Sequence, residues 1–242
     1  MPTKPKNVTP ERPRVRRGNE EDANRLRGEM LDAAMAQFSR GGLDAVTIRG
    51  VAADVGVSVM TPYRYFADKA ELLTRLGESV IRGACDRMIG AVAAAESGSE
   101  KQRASIDAFL GYWEDNPNHY RLVYMTEQTT GRDAKSNITH APVYAEIIEL
   151  VGGVTRALAT EIGAGLTHAR LAGDMRFMMQ LGYLHATLVN RRYEWSDRMR
   201  LRAEYIEQIL ATVVRCLLHG PSHAGSPVPG DASDQPSSTA PG

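Results

Sequence analysis

Apolar residues recur along this chain at intervals of three and four, the signature of helices with one buried face. Leu26, Met30, Ala33, Ala34 and Phe38 predict a helix over 24–40, stopped by Gly41-Gly42. Ile48, Val51, Ala52 and Val55 repeat the pattern in a shorter helix. Thr47 can cap its first turn, and Gly56 suits the left-handed residue that ends it. Ser58 can cap a second short helix carrying Met60, Thr61, Tyr63, Arg64 and Tyr65 towards Phe66. A long helix is expected over 68–96, ended by Ser97-Gly98-Ser99, and another over 100–115, broken by Asn116-Pro117. Residues 129–141 read as a loop, and helices resume over 142–162, 167–192 and 196–218. No stretch reads as a strand, so the fold class is all-α.

Composition divides this helical frame into parts. Residues 1–23 carry charge and proline with little to bury, and predict a flexible basic arm. Residues 24–70 read as a helix-turn-helix domain, and residues 71–219 as a larger helical domain. Residues 220–242 hold 14 Gly, Pro or Ser among 23 positions, a disordered tail. Formal net charge is zero, but residues 1–75 hold 13 Lys and Arg against 10 Asp and Glu. The positive end is the helix-turn-helix end, as phosphate binding favours. Cys85 and Cys216 are too few for a disulfide framework or metal knuckle. No apolar run spans a bilayer and no secretory signal follows the basic start, so a cytoplasmic protein without membrane contact is expected.

The chemistry concentrates between residues 47 and 69. A short helix presenting hydroxyls, an Arg and two tyrosines has what phosphates and base edges require. The candidate DNA contacts are Thr47, Arg49, Ser58, Val59, Met60, Thr61, Tyr63, Arg64, Tyr65 and Lys69. Arg64 can reach guanine or phosphate, and one of the two tyrosines can instead pack beneath the helix. Lys69, in the first turn of the long helix, can hold a phosphate with the backbone N–H groups beside it. The six histidines form no HExxH or i, i+4 pair, and no nucleophile motif or Gly-rich phosphate loop is present. No metal, cofactor or catalysis is therefore expected.

These residues resemble the TetR family of transcriptional regulators. Thr47, Val51, Ala52, Gly56, Val57 and Ser58, then Tyr63, Arg64, Tyr65, Phe66, Lys69 and Leu72, follow its pattern in type and spacing. Asn116 to Leu122 look like the family's junction of fifth and sixth helices. Pro62 stands where the family usually has Leu, and Met60 where Gly or Pro is common. Counting from Ser58, Pro62 would be the fourth helical residue and would pull Thr61 away from helical angles, altering base preference without abolishing binding.

The resemblance implies a homodimer that reads a palindromic operator on double-stranded DNA. It further implies a repressor released by a small-molecule effector. Trp113, Tyr120, Tyr124, Met125, Met178, Met179 and Tyr183 are candidates to line an adaptable pocket, or else plain core. Met175, Gly182, Val189, Tyr205, Ile209, Val213 and Leu217 are candidates for the dimer bundle. The rival reading is a ligand-binding or scaffold protein of the same fold that no longer reads DNA.

Overall fold

The computed structural model describes residues 16–125, 142–190 and 192–219. The loop expected at 129–141, the tail from 220 and the first 15 residues of the arm lie outside the described residues. Among the described residues, all regular structure is helical.

Helix α1 spans Arg16–Ala45 and is interrupted at Gly41 and Gly42, where φ values of −152° and 71° leave the helical region. The expected stop is therefore in place, but the helix begins eight residues earlier than its apolar pattern suggested. Pro13 is the last proline before it, and Arg25 pairs with Glu29 at 2.8 Å and Asp22 at 3.5 Å, so charged neighbours extend the helix without apolar residues. Helix α2 (Ile48–Val55) packs Ile48, Val51 and Ala52 against α1.

Helix α3 (Lys69–Ala93) starts at Asp68, whose carboxylate accepts from the Glu71 N–H at 2.8 Å. Its first turns bury Leu72 and Leu76 in the core with Phe38 and Phe66, and its later turns bury Val80, Ala84 and Met88 with Phe109 and Trp113. One rigid element thus enters both parts of the chain, and the boundary expected at residue 70 falls within its first turn.

Helix α4 (Gly98–Asp115) begins where a stop was expected. Ser97 and Glu100 form a reciprocal capping box, so the Ser-Gly-Ser segment opens a helix instead of ending one. A Cβ on Gly98 would lie 2.5 Å from the Ala157 carbonyl oxygen, so only glycine lets α4 touch α6 there. Helix α5 (Pro117–Tyr120) runs into a wider turn over Arg121–Met125. Helices α6 (Pro142–Glu161), α7 (Ala169–Leu184, continuing as a π-type turn over His185–Val189) and α8 (Arg198–His219) complete the body. α4 packs centrally, against α3, α6, α7 and α8. Arg202 of α8 ties to it through Glu114 at 2.7 Å and Asp107 at 2.6 Å.

Candidate DNA-binding surface and central cavity

The turn after α2 is held by its own sequence. Thr47 Oγ1 accepts the Gly50 N–H at 3.0 Å. Gly56 adopts φ 76°, ψ 29°, and the N–H groups of Gly56 and Val57 return to the Ala53 and Ala52 carbonyls. Buried Gln37 of α1 clamps this unit: its Oε1 accepts the Thr47 N–H at 3.0 Å and its amide donates to Asp54 at 2.8 Å. Helix α2 is thereby held to α1 near both of its ends by one side chain.

The segment that follows is shorter than expected. It is a 3-10 turn over Pro62–Arg64, not a regular helix from Ser58. Ser58 caps no helix: its hydroxyl meets the Thr61 hydroxyl at 2.9 Å, while its carbonyl accepts the Thr61 N–H. Pro62 is the first residue of the turn and is buried, because it has no N–H to continue a ladder from Ser58. Thr61 keeps ordinary helical angles (φ −65°, ψ −47°), contrary to the effect expected of Pro62. The 3-10 turn absorbs the proline at its N-terminal position, where no donor is needed.

This turn points a distinct set of side chains outward. Met60 is 70% and Tyr63 48% exposed, and Val59, Arg64, Arg49, Thr47 and Ser58 are exposed beside them. Tyr65 is half-buried against the core, with the Arg27 guanidinium 5.9 Å from its ring centroid, so it is the tyrosine that packs inward. Lys69 is also half-buried, and its Nζ donates to the Leu43 carbonyl at 2.7 Å across the glycine kink. It thereby ties the start of α3 to the end of α1, on a carbonyl that also accepts the Val46 N–H.

The body encloses a cavity of about 490 Å³ among α3, α4, α6 and α7. Its apolar wall includes Ile81, Met88, Phe109, Trp113 and Phe177, with Phe109 and Trp113 edge to face at 6.0 Å. Of the pocket candidates, Trp113 and Tyr124 line it. Tyr120 is core, edge-on to Trp113 at 6.1 Å and tilted against Tyr124 at 5.1 Å, and Tyr183 is buried with its hydroxyl on Glu114 at 2.9 Å. Met179 packs in the core, whereas Met125 and Met178 lie at the surface. The polar floor, Arg176 and Gln180 of α7, was not anticipated, since an Arg on a helix ordinarily reads as solvated. Burial lowers the Arg176 guanidinium to about 10, which leaves it charged at neutral pH.

The candidate dimer residues divide. Gly182 is exposed with open space around its Cα, and Met175 is partly covered. Ile209, Val213 and Leu217 are buried within their own chain, and Tyr205 stacks on Tyr183 at 5.3 Å while donating to the Met179 carbonyl. Val189 packs in the same interior. The most apolar stripe of α8 thus faces α7, and the apolar and small residues left outward on these two helices include Phe177, Met178, Gly182, Met199, Ala203, Ala211 and Leu218. Among the described residues, no cluster of His, Cys, Asp or Glu could hold a metal, and no helix is long and apolar enough to cross a membrane.

Residues 30–76, the helix-turn-helix and its flanks, match the family described as bacterial regulatory proteins, tetR family. The chain is 27% identical over 115 residues to the HTH-type transcriptional activator FasR of Mycolicibacterium smegmatis, covering 48% of this chain and 52% of that protein. It is 51% identical over 47 residues to the HTH-type transcriptional repressor KstR of Mycobacterium tuberculosis, covering 19% of this chain and 21% of that one. The chain therefore spans about half the length of the first relative and a fifth of the second. The fold extends further. A tetR-family regulatory protein from Rhodococcus RHA1 superposes with a TM-score of 0.61 at 16% identity, over 78% of this chain and 96% of that one. The regulator FadR of Bacillus subtilis, in complex with stearoyl-CoA, gives 0.55 at 16% identity, over 80% and 98%. Residues 30–76 thus match the tetR family of bacterial regulatory proteins in sequence, and the described helical body shares its fold with solved regulators.

Proposed function

We propose that this protein is a DNA-binding transcriptional regulator, a repressor released from a palindromic operator by a small molecule that enters the central cavity. The observation that carries the reading is the exposed set formed by Arg49 of α2 with Met60, Tyr63 and Arg64 at the turn that follows, on an α2 held to α1 by Gln37. Cations and a hydroxyl serve phosphates, and Met60 and Tyr63 offer apolar contact to base edges. Thr47, Ser58, Val59, Thr61, Tyr65 and Lys69 keep the roles of neighbours that shape or extend this surface. The two relatives carry opposite signs of regulation by name, activator and repressor; release by a ligand is supported here by the cavity's place against α3. The FadR complex supports a body of this fold accommodating a small molecule.

The mechanism follows from shared contacts. Ile81, Ala84 and Met88 of α3 line the cavity, while Leu72 and Leu76 of the same helix pack on the DNA-binding core. A ligand that favours a shifted α3 changes the separation of two recognition turns in a dimer formed through α7 and α8. Half-sites one helical turn apart, about 34–36 Å, tolerate little change in that separation. The loss of operator affinity can be no larger than the ligand's preference for the shifted state, and such couplings are typically about 1–3 kcal/mol. Such a regulator works in the cytoplasm and needs no catalytic group.

One observation favours the rival reading, a protein that keeps the fold without reading DNA: its recognition segment is a single 3-10 turn. Selection from a random duplex library distinguishes the two. A regulator enriches a two-fold symmetric sequence; enrichment of no motif overturns this proposal in favour of the rival.

A further inference from the structure

Three buried donors around the cavity have no partner among the described residues: Arg176 Nη1, Gln180 Nε2 and Trp113 Nε1. Arg176 and Gln180 are each 2% exposed, one turn apart on α7, and Trp113 is 1% exposed on α4. Arg176 Nε donates to Gln180 Oε1 at 3.2 Å. Since a guanidinium only donates, the amide must turn its oxygen towards Arg176, which leaves the amide NH2 free. The bond orients Arg176 but supplies no negative charge.

The acids near this cavity are otherwise engaged. Asp174 pairs with Arg170 at 3.1 Å, and two residues along a helix do not face each other, so it is turned from Arg176. Glu149 pairs with the Arg156 guanidinium at 3.6 Å on the exposed side. A buried guanidinium with no counter-ion among the described residues is costly in apolar surroundings, and a plain core gains nothing from it. We infer that the cavity takes an amphipathic molecule with an apolar body and a single oxyanion head, the head bound by Arg176 with Gln180 and Trp113, the body lying against Phe109, Met88 and Ile81. The inference rests on the effector-cavity reading above and names its ligand class. Arg176 suits this head because its planar fork donates two parallel hydrogen bonds to one carboxylate or phosphate.

Calorimetric titration of the full chain, stripped of co-purifying lipid, tests this with dodecanoate, dodecyl phosphate and 1-dodecanol at pH 7.5. At least one anion should bind tenfold or more tightly than the alcohol, and whichever anion wins identifies the head as carboxylate or phosphate. Arg176→Met should erase that preference, and Arg176→Lys should keep part of it. Gln180→Leu should weaken the preferred anion severalfold, and serves if Arg176→Met does not fold by circular dichroism. Equal binding of alcohol and anions overturns the inference, as does binding of none, or a preference that survives both Arg176→Met and Gln180→Leu. Operator binding is read separately: anions that bind without changing it remove the effector role alone, and loss of all DNA binding leaves the titration intact.

Discussion

The Tyr112 hydroxyl of α4 donates to the Val80 carbonyl of α3 at 2.8 Å, one residue before Trp113 lines the central cavity. The helix that runs to the core beneath the candidate DNA-binding surface is therefore fastened to α4, which lines the cavity beside it. The fit is close: a Cβ on Gly83 would lie 2.7 Å from the same hydroxyl. Tyr112→Phe should cost about 1 kcal/mol in urea denaturation, the worth of one buried hydrogen bond. It should also weaken the effect of any cavity ligand on operator affinity. Unchanged coupling in a folded Tyr112→Phe protein would assign the relay to other α3 contacts.

Tyr112 has a second partner, His119 Nδ1 at 3.0 Å. The tyrosine proton goes to Val80, so His119 must donate from a protonated Nδ1. Burial holds the His119 pKa below the ordinary 6.5. The unfolded chain then takes up the proton first as pH falls, so the stability contribution is complete above 6.5 and is lost below it. Between pH 7.5 and 5.5 the wild type should lose more stability than His119→Asn, measured as the difference in urea midpoints. Parallel losses in the two proteins would show that His119 does not titrate in this window.

Gln37 of α1 holds both ends of α2 through one amide, although it lies outside the expected recognition motif. Gln37→Leu leaves the Thr47 N–H and the Asp54 carboxylate without it, for a cost of about 1–3 kcal/mol. Thermal unfolding should register this loss, and operator affinity should fall although Gln37 is 5% exposed and touches no DNA. An unaffected melting temperature would mean that Arg40, 3.5 Å from Asp54, suffices as a clamp.

Arg49 and Lys69 should separate cleanly. Arg49 is exposed; Arg49→Ala should weaken DNA binding similarly for all sequences and reduce the logarithmic salt slope by about 1. Lys69 holds the Leu43 carbonyl, so Lys69→Met should lower thermal stability as well as affinity. A salt slope unchanged in Arg49→Ala would take that residue off the phosphate backbone.

The sequence made some of this readable for local reasons. Thr47, Gly56 and Gly41-Gly42 act within a few residues of themselves, so their caps and stops were legible from position alone. Ser-Gly-Ser suggests a stop, whereas Ser97 and Glu100 form the capping box that opens α4. The length of the recognition helix depends on its true start, which decides whether Pro62 falls inside it or at its first residue. Periodicity does not tell an α8 stripe buried by its own chain from one buried by another copy. Arg176 and Gln180 are not legible as cavity residues because helical Arg and Gln ordinarily face solvent.

The most direct test of the central claim is fluorescence anisotropy of the selected duplex with the wild type and with Tyr63→Ala/Arg64→Ala, titrated across salt. The wild type should bind saturably, resist competitor DNA and weaken steeply as salt rises, and the double variant should lose at least tenfold in affinity while melting normally. Equal affinity of the two proteins for that duplex would contradict DNA reading through this turn.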